Sequence, residues 1–214
     1  LKLVKDVKLN PSPTHFNASA KSWDNPEKIA RAQEYARIIK SKLLELAPDF
    51  EIHSVLELGC GTGLLGGNFL EDHTAYAGID TSEEMLKVLK SKFPQPRVQT
   101  FNLELENGDL SGFKFNFLIS QMAFHHLKDP GSLLKKLVLD RKSKFAIIDL
   151  VKEDGSFHPN PKAMGVHHFG FTRDEVATWA TDAGLNLQHY QILDVVKKNE
   201  KTYPLFLAIF GHYI

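Results

Sequence analysis

The chain has almost no cysteine: Cys60 is the only one in 214 residues. That excludes an intramolecular disulfide and a cysteine-built zinc site, and it makes a reducing, cytoplasmic setting the simplest expectation, with a nuclear one left open. Net charge is lacking as well. Lys plus Arg and Asp plus Glu both total 26, and no block of like charge offers a footprint for a nucleic-acid backbone, so no nucleic-acid partner is expected. Long apolar runs are missing too. Stretches such as "PLFLAIFGHYI" at 204–214 fall far short of the roughly 20 residues a membrane span needs, and no signal-peptide pattern opens the chain, which begins at Leu1. No membrane association is expected.

The length suits a single domain over 1–214, enough to bury roughly 70% of its unfolded surface. Residues 1–25, with Pro11 and Pro13, read as an irregular N-terminal arm that still carries Phe16 and Trp23. Over 26–47 the spacing of Ile29, Ala32, Ala36, Ile39, Leu43 and Leu46 predicts a long amphipathic helix. It starts at Pro26, after the capping candidates Asp24 and Asn25, and ends before Pro48.

From there strands and helices alternate. "IHSVLEL", "TAYAGID", "RVQTFNLEL", "FNFLISQMAF" and "SKFAIIDLV" read as strands; "GLLGGNFLED", "SEEMLKVLKSKF" and "GSLLKKLVLD" read as helices between them. Such alternation predicts an α/β fold, a mostly parallel sheet with helices on both faces. A long connection without period follows at 152–171, of the kind that serves as a lid or substrate loop. The helix "TRDEVATWATDAGL" then carries Thr172 as cap, Glu175 three residues on, and Gly184 as its stop. Two final apolar runs separated by "KKNEKT" predict an antiparallel hairpin, which brings the sheet to seven strands.

The chemistry is concentrated in "VLELGCGTGLLGGNFL" at 55–70. Gly59, Gly61 and Gly63 follow a strand directly, and without Cβ atoms they let the backbone turn sharply and approach a ligand. Gly61, Gly63 and Gly66 also satisfy the G-x-G-x-x-G pattern of dinucleotide sites. Glu57 argues for a different ligand, because a carboxylate at the strand end repels a pyrophosphate and accepts hydrogen bonds from an ammonium group. Asp80 ends the next strand, where an acid bonds both hydroxyls of an adenosine ribose in either kind of cofactor. The C-terminal helix and hairpin take the place of the second nucleotide-binding half that a dehydrogenase carries.

With "AGIDTSEEML", "FNFLISQMAFHHLKD" and "GFTRDEVATWATDAGL" in order behind the glycine turn, the chain from about residue 52 to 214 resembles the class I S-adenosylmethionine-dependent methyltransferases. Within them it is similar to the small-molecule branch that includes ubiquinone and menaquinone methyltransferases. The resemblance implies a Rossmann-like sheet and S-adenosyl-L-methionine as cofactor. It implies that Leu58, Gly59, Cys60, Gly61 and Gly63 lie under the methionine part, with Glu57 supporting that region and Cys60 contributing backbone. Asp80 would hold the ribose, and Thr81 and Met85 would line the adenine. Asn102, beside Leu103, stands where the family often has an aspartate, and its amide oxygen can accept the adenine amine. Ser120, Gln121 and Met122 would end the fourth strand beside the methyl group.

The family works mainly by aligning a nucleophile with the methyl, and acceptors that must lose a proton need a base as well. His125 and His126 follow the fourth strand, while His158, His167 and His168 lie in the loop after the fifth; all five emerge at carboxyl ends of strands and are candidates for substrate contact or base. A structural role is the alternative for "FHHL". The loop histidines could also serve as metal ligands, three nitrogens being available, but no ligand spacing typical of a metal appears, so no metal is expected. The expected function is methylation of a small molecule, with a protein acceptor still open. The competing readings are a non-catalytic cofactor-binding or scaffold protein and an NAD(P)-dependent oxidoreductase.

Overall fold

Seven strands form one sheet in the computed structural model, which describes residues 14–137, 139–198 and 200–212. They are β1 Ser54–Leu58, β2 Ala75–Asp80, β3 Val98–Asn102, β4 Phe117–Gln121, β5 Lys144–Leu150, β6 Asn186–Lys198 and β7 Lys201–Gly211, in the order β3-β2-β1-β4-β5-β7-β6. The first five pair in parallel, and β7 runs antiparallel to both β5 and β6. The expected class, a mostly parallel seven-stranded sheet closed by a hairpin, is the one observed.

Alternation at period two sorts the side chains onto two faces. Val55, Phe117, Ile119, Ala146, Ile148, Leu205 and Leu207 join one core; Leu56, Leu58, Leu118, Phe145, Ile147, Phe206 and Ala208 join the other. The helix α2, Pro26–Leu46, and the helix α3, Glu83–Lys92, cover the first face with Tyr35, Ile39, Leu43, Leu86 and Leu89. On the second face lie α4, Pro130–Lys136, and α5, Arg173–Asp182, which bring Leu133, Leu134, Val176 and Ala180. Every residue of β5 is buried.

Helix ends follow their capping residues. Asn25 accepts from Lys28 N–H at 2.9 Å ahead of Pro26, and Ser82 caps α3 through Met85 N–H. Thr172 and Glu175 form a reciprocal capping box on α5, and Gly184 ends that helix at φ +70°.

Two stretches differ from their expected form. The helix anticipated at 63–72 is only a 3-10 turn, Gly66–Phe69; two adjacent glycines cost about 1 kcal/mol each in a helix, and the Asn68 amide takes the Leu64 carbonyl. The arm is not irregular throughout, because Thr14–Ser19 forms a short helix, α1, continued by the turn Ala20–Ser22. Docking against α3 through Asn17 supplies what local propensity does not. Pro11 and Pro13 lie outside the described residues.

Thr172→Ala should remove the hydroxyl that accepts from Glu175 N–H, leaving only the backbone N–H of residue 172 on the Glu175 carboxylate. The expected loss is about 1 kcal/mol, read as a fall in the thermal midpoint of roughly 2–4 °C, with Thr172→Ser close to the parent. An unchanged midpoint would show that packing alone holds α5.

Candidate active site

Strand order reverses at β1, whose neighbours are β2 on one side and β4 on the other. Open α/β sheets bind ligands in the crevice past the carboxyl ends of strands at such a point. The glycine turn after β1 and the 122–126 segment after β4 both lie there. Gly59, Gly61 and Gly63 all have positive φ, the left-handed region that glycine enters without strain. A Cβ on Gly59 would run into Ala123, which follows β4, whereas one on Gly61 would meet nothing within 4 Å. The turn is thus packed on one side and open at Gly61.

Asp80 closes the turn from the end of β2. Its Oδ2 accepts from Gly61 N–H at 2.7 Å and its Oδ1 from Ser82 N–H at 2.8 Å. Burial raises its carboxyl above the ordinary aspartate value, and these backbone donors pull it back. Each oxygen keeps a further lone pair for a hydroxyl.

Glu57 is placed otherwise than the sequence suggests. The pleat turns it onto the Val55 face, under α2 and α3, where it is 2% exposed. Its carboxylate accepts from the Tyr76 hydroxyl and from Gly66 N–H, at 3.2 and 3.3 Å from the latter. Burial is the main cause of a pKa pushed up to about 7, and it raises the Tyr76 hydroxyl as well. A side chain sealed in this way meets no ligand ammonium; it braces the turn from below. Gly66 has to be glycine because any Cβ there would overlap the Glu57 carboxylate and the Tyr76 ring. The dinucleotide-like third glycine is therefore a packing requirement.

The remaining predicted cofactor residues divide similarly. Asn102 donates its amide to the carbonyls of Thr81 at 3.0 Å and Asp80 at 3.3 Å, which orients the amide oxygen as the free acceptor. Leu103 N–H bonds the Asp80 carbonyl. Leu58, Cys60 and Met85 are buried, and burial raises the Cys60 thiol well above its usual value. Ser120 spends its hydroxyl on the Leu58 carbonyl at 2.9 Å. Gln121 and Met122 are half-buried at the end of β4, and Met122 holds a positive φ of 54° while its N–H bonds the Ile148 carbonyl.

Of the five histidines, three converge. The rings of His125 and His126 lie 4.2 Å apart, and His158 comes from the 152–171 loop to 4.9 Å from His125 and 5.9 Å from His126. Asp149, fully buried near the end of β5, takes His125 Nδ1 at 2.7 Å and also accepts from its backbone N–H. Burial, then the neighbouring His125, lowers the pKa of His126 to about 4 and of His158 to about 3, so both are neutral at pH 7. His167 and His168 stand apart. They donate backbone N–H to the His125 carbonyl at 2.9 and 3.0 Å, the His168 ring turns to the Lys128 carbonyl, and His167 is exposed.

Sequence reasoning missed Asp149, although a lone acid inside the apolar "SKFAIIDLV" was a signal that a partner had to be near. It also missed the arm's polar anchors. Asp24 bonds the Thr62 hydroxyl at 2.5 Å and Lys92 Nζ at 2.6 Å; Asn17 takes the Ser82 hydroxyl at 2.7 Å. Phe16 meets Trp23 and His126 edge-on, with centroids 5.9 and 5.5 Å away.

Comparison with known proteins gives this arrangement its class. A family model described as a methyltransferase domain matches residues 56–139, from β1 through α4. With the fold and the glycine turn, this match and the relatives named as methyltransferases support S-adenosylmethionine-dependent methyl transfer by this chain. Among its relatives, an uncharacterized methyltransferase of Schizosaccharomyces pombe is 25% identical over 225 residues, covering 81% of this chain and 78% of that one. A ubiquinone biosynthesis O-methyltransferase of Coxiella burnetii is 24% identical, with 80% of each chain covered. The magnesium protoporphyrin IX methyltransferase of Synechocystis, solved with bound SAH, shares the fold at a TM-score of 0.65 and 14% identity, covering 92% of this chain and 97% of that one.

The buried Glu57 makes stability depend on pH. Unfolded, it ionises near 4.5; folded, at about 7. The folded state therefore binds more protons between those values, so this contribution is complete below about pH 4.5 and is lost as pH rises through 7. Glu57→Gln should flatten the decline in denaturant-derived stability between pH 5 and 8, on the order of 1.4 kcal/mol per unit of separation. Parallel profiles for parent and variant would contradict the buried placement.

Proposed function

We propose that the chain methylates a small molecule, held between the histidine cluster and the arm, using the glycine turn and Asp80 to grip the cofactor. The residues present fit S-adenosylmethionine. Gly61 leaves free space on its open side, the Asp80 carboxylate has lone pairs for ribose hydroxyls, and Asn102 offers an amide oxygen to an adenine amine. Leu58, Gly59, Cys60 and Gly63 shape the turn, and Thr81, Met85 and Leu103 surround the adenine end. When bound, the cofactor supplies an electrophilic methyl on a sulfonium.

The observation that carries the acceptor assignment is the meeting of His125, His126 and His158 past the end of β4, beside the turn and under Phe16. His125 is held in one orientation by Asp149, and positioning of a nucleophile is what this chemistry needs most. Phe16 against His126 and the 152–171 loop that brings His158 cover the acceptor end, which suits a small molecule better than a folded protein. The ubiquinone biosynthesis enzyme among the relatives supports a small acceptor too. A net charge of zero gives no support to nucleic acid. No helix among the described residues is long and apolar enough to cross a membrane, and the single buried thiol suits a cytoplasmic setting. The arm and the loop serve as covers of this site.

Thermal unfolding with S-adenosylmethionine, S-adenosylhomocysteine, NAD and NADP tests the cofactor end. At a hundred times its dissociation constant a ligand adds about 2.7 kcal/mol, a rise of roughly 5–10 °C at this size. The two sulfur compounds alone should produce it, and Asp80→Asn should shrink it by more than half at the same concentration. An undiminished rise in Asp80→Asn would remove Asp80 from the site.

A further inference from the structure

The three converging histidines have a feature that acceptor positioning alone does not explain. One nitrogen from each lies within 4.8 Å of the other two. His125 Nδ1 donates to the Asp149 carboxylate, and His126 Nδ1 donates to the Gly165 carbonyl at 3.1 Å, since a carbonyl can only accept. Both rings are thereby fixed with Nε2 as the lone-pair nitrogen. His125 is 1% exposed, yet its Nε2 is buried without any hydrogen-bond partner. A buried acceptor left unpaired costs about 1–3 kcal/mol, so its retention needs a reason.

We propose that His125, His126 and His158 form a three-nitrogen site for a divalent transition ion of the zinc class, with Asp149 as the outer carboxylate that orients His125. A carboxylate behind a ligating imidazole fixes the tautomer and raises ligand basicity. Three protein nitrogens with a fourth position open is a donor set that suits zinc and leaves room for a substrate atom. A tetrahedral ion with bonds of about 2.0–2.1 Å brings its nitrogens about 3.3 Å apart, so the cluster must contract. The His158 ring can supply that movement by rotating on its side chain, because no side-chain hydrogen bond among the described residues ties it, while the other two rings are clamped. Phe16 lies edge-on to His126 and shields this end from water. This departs from the sequence reading, where no ligand spacing was evident; the third ligand comes from a different loop.

Resting on the methyl-transfer reading, the site also narrows the acceptor to a small molecule with an ionisable hydroxyl. A bound ion would lower the pKa of a coordinated hydroxyl; the proton would pass to water, and the oxygen's electron pair would form the new bond to the methyl carbon as the bond from that carbon to the sulfonium sulfur breaks.

The test uses the tag-free full chain, stripped with a chelator and titrated with Co²⁺ alone. The expected result is one equivalent bound, with visible absorption of tetrahedral intensity. His158→Ala and His126→Ala should each weaken binding by at least about tenfold, since even loss of an outer-shell partner costs 10–100-fold; His167→Ala should bind as the parent does. Far-ultraviolet circular dichroism and the S-adenosylhomocysteine-induced thermal shift should be retained in His158→Ala, which separates ligand loss from misfolding. Absence of a Co²⁺ spectrum in the parent, or equal affinity in His158→Ala, overturns the metal site. In either case a retained S-adenosylhomocysteine shift leaves the methyltransferase reading standing, whereas loss of that shift in the parent strikes the cofactor reading instead.

Discussion

A carboxylate with no access to water lies beneath the glycine turn, and the shape of the cofactor end depends on how it is held. Glu57 meets a hydroxyl from β2 and a backbone N–H from the turn that follows Gly63. Removing such a group from water is costly unless its hydrogen bonds are satisfied. Both bonds reach across elements, so satisfying Glu57 also sets the distance from β1 to β2 and seats the 3-10 turn against them. The same requirement accounts for Gly66, whose missing Cβ lets the backbone close onto the carboxylate. Asp80 then works on the upper side of the turn, where a half-buried acid can hold Gly61 and still accept more.

Adjacency of β4 and β5 does for the acceptor end what Glu57 does for the cofactor end. Gln121 pairs with Ile148 in the parallel register, so the segment leaving β4 passes directly by Asp149. The acid takes His125 through both backbone and ring, and the His125 carbonyl in turn accepts the N–H groups of His167 and His168. The long loop is thus anchored on a histidine that is itself anchored on the sheet. The bridge from Val151 to Phe171 clasps the loop's two ends, and Lys198 donates to the Phe157 carbonyl near its start at 2.6 Å. A loop pinned at so many points presents His158 from a framework, although its sequence shows no period.

Strand alternation, the caps at Asn25 and Thr172, and the final hairpin were all legible in the sequence, because each is written within a few neighbouring residues. What a side chain faces across the sheet is not local. Glu57 looked like a rim residue because it precedes the glycines, but period two places it on the Val55 face with Tyr76, a partner 19 residues away. The same argument applied to the strand alone would have shown that Leu56 and Leu58 share a face that Glu57 does not. The histidines illustrate the other limit. Five were visible as candidates; that His158 joins His125 and His126, while His167 and His168 give only backbone contacts or turn elsewhere, depends on a loop with no pattern to read. Helix at 63–72 failed for a local reason, two glycines and an asparagine outweighing the apolar spacing.

The arm ties these two ends into one device. Within a dozen residues, Asn17 reaches the cap of α3, Phe16 lies against His126, and Asp24 joins the glycine turn at Thr62 to Lys92 of α3. Among its described residues no strand pairing holds this segment down; its attachments are side-chain contacts and one aromatic cluster, and Ala20 is the buried apolar residue it contributes. Local opening free energy is low where buried apolar contacts are few, yet release of the arm would break contacts at the turn and at the histidines together. The same few anchors therefore hold the cofactor end and the histidine end in one arrangement, so that a change at Thr62 and a change at His126 bear on the same segment.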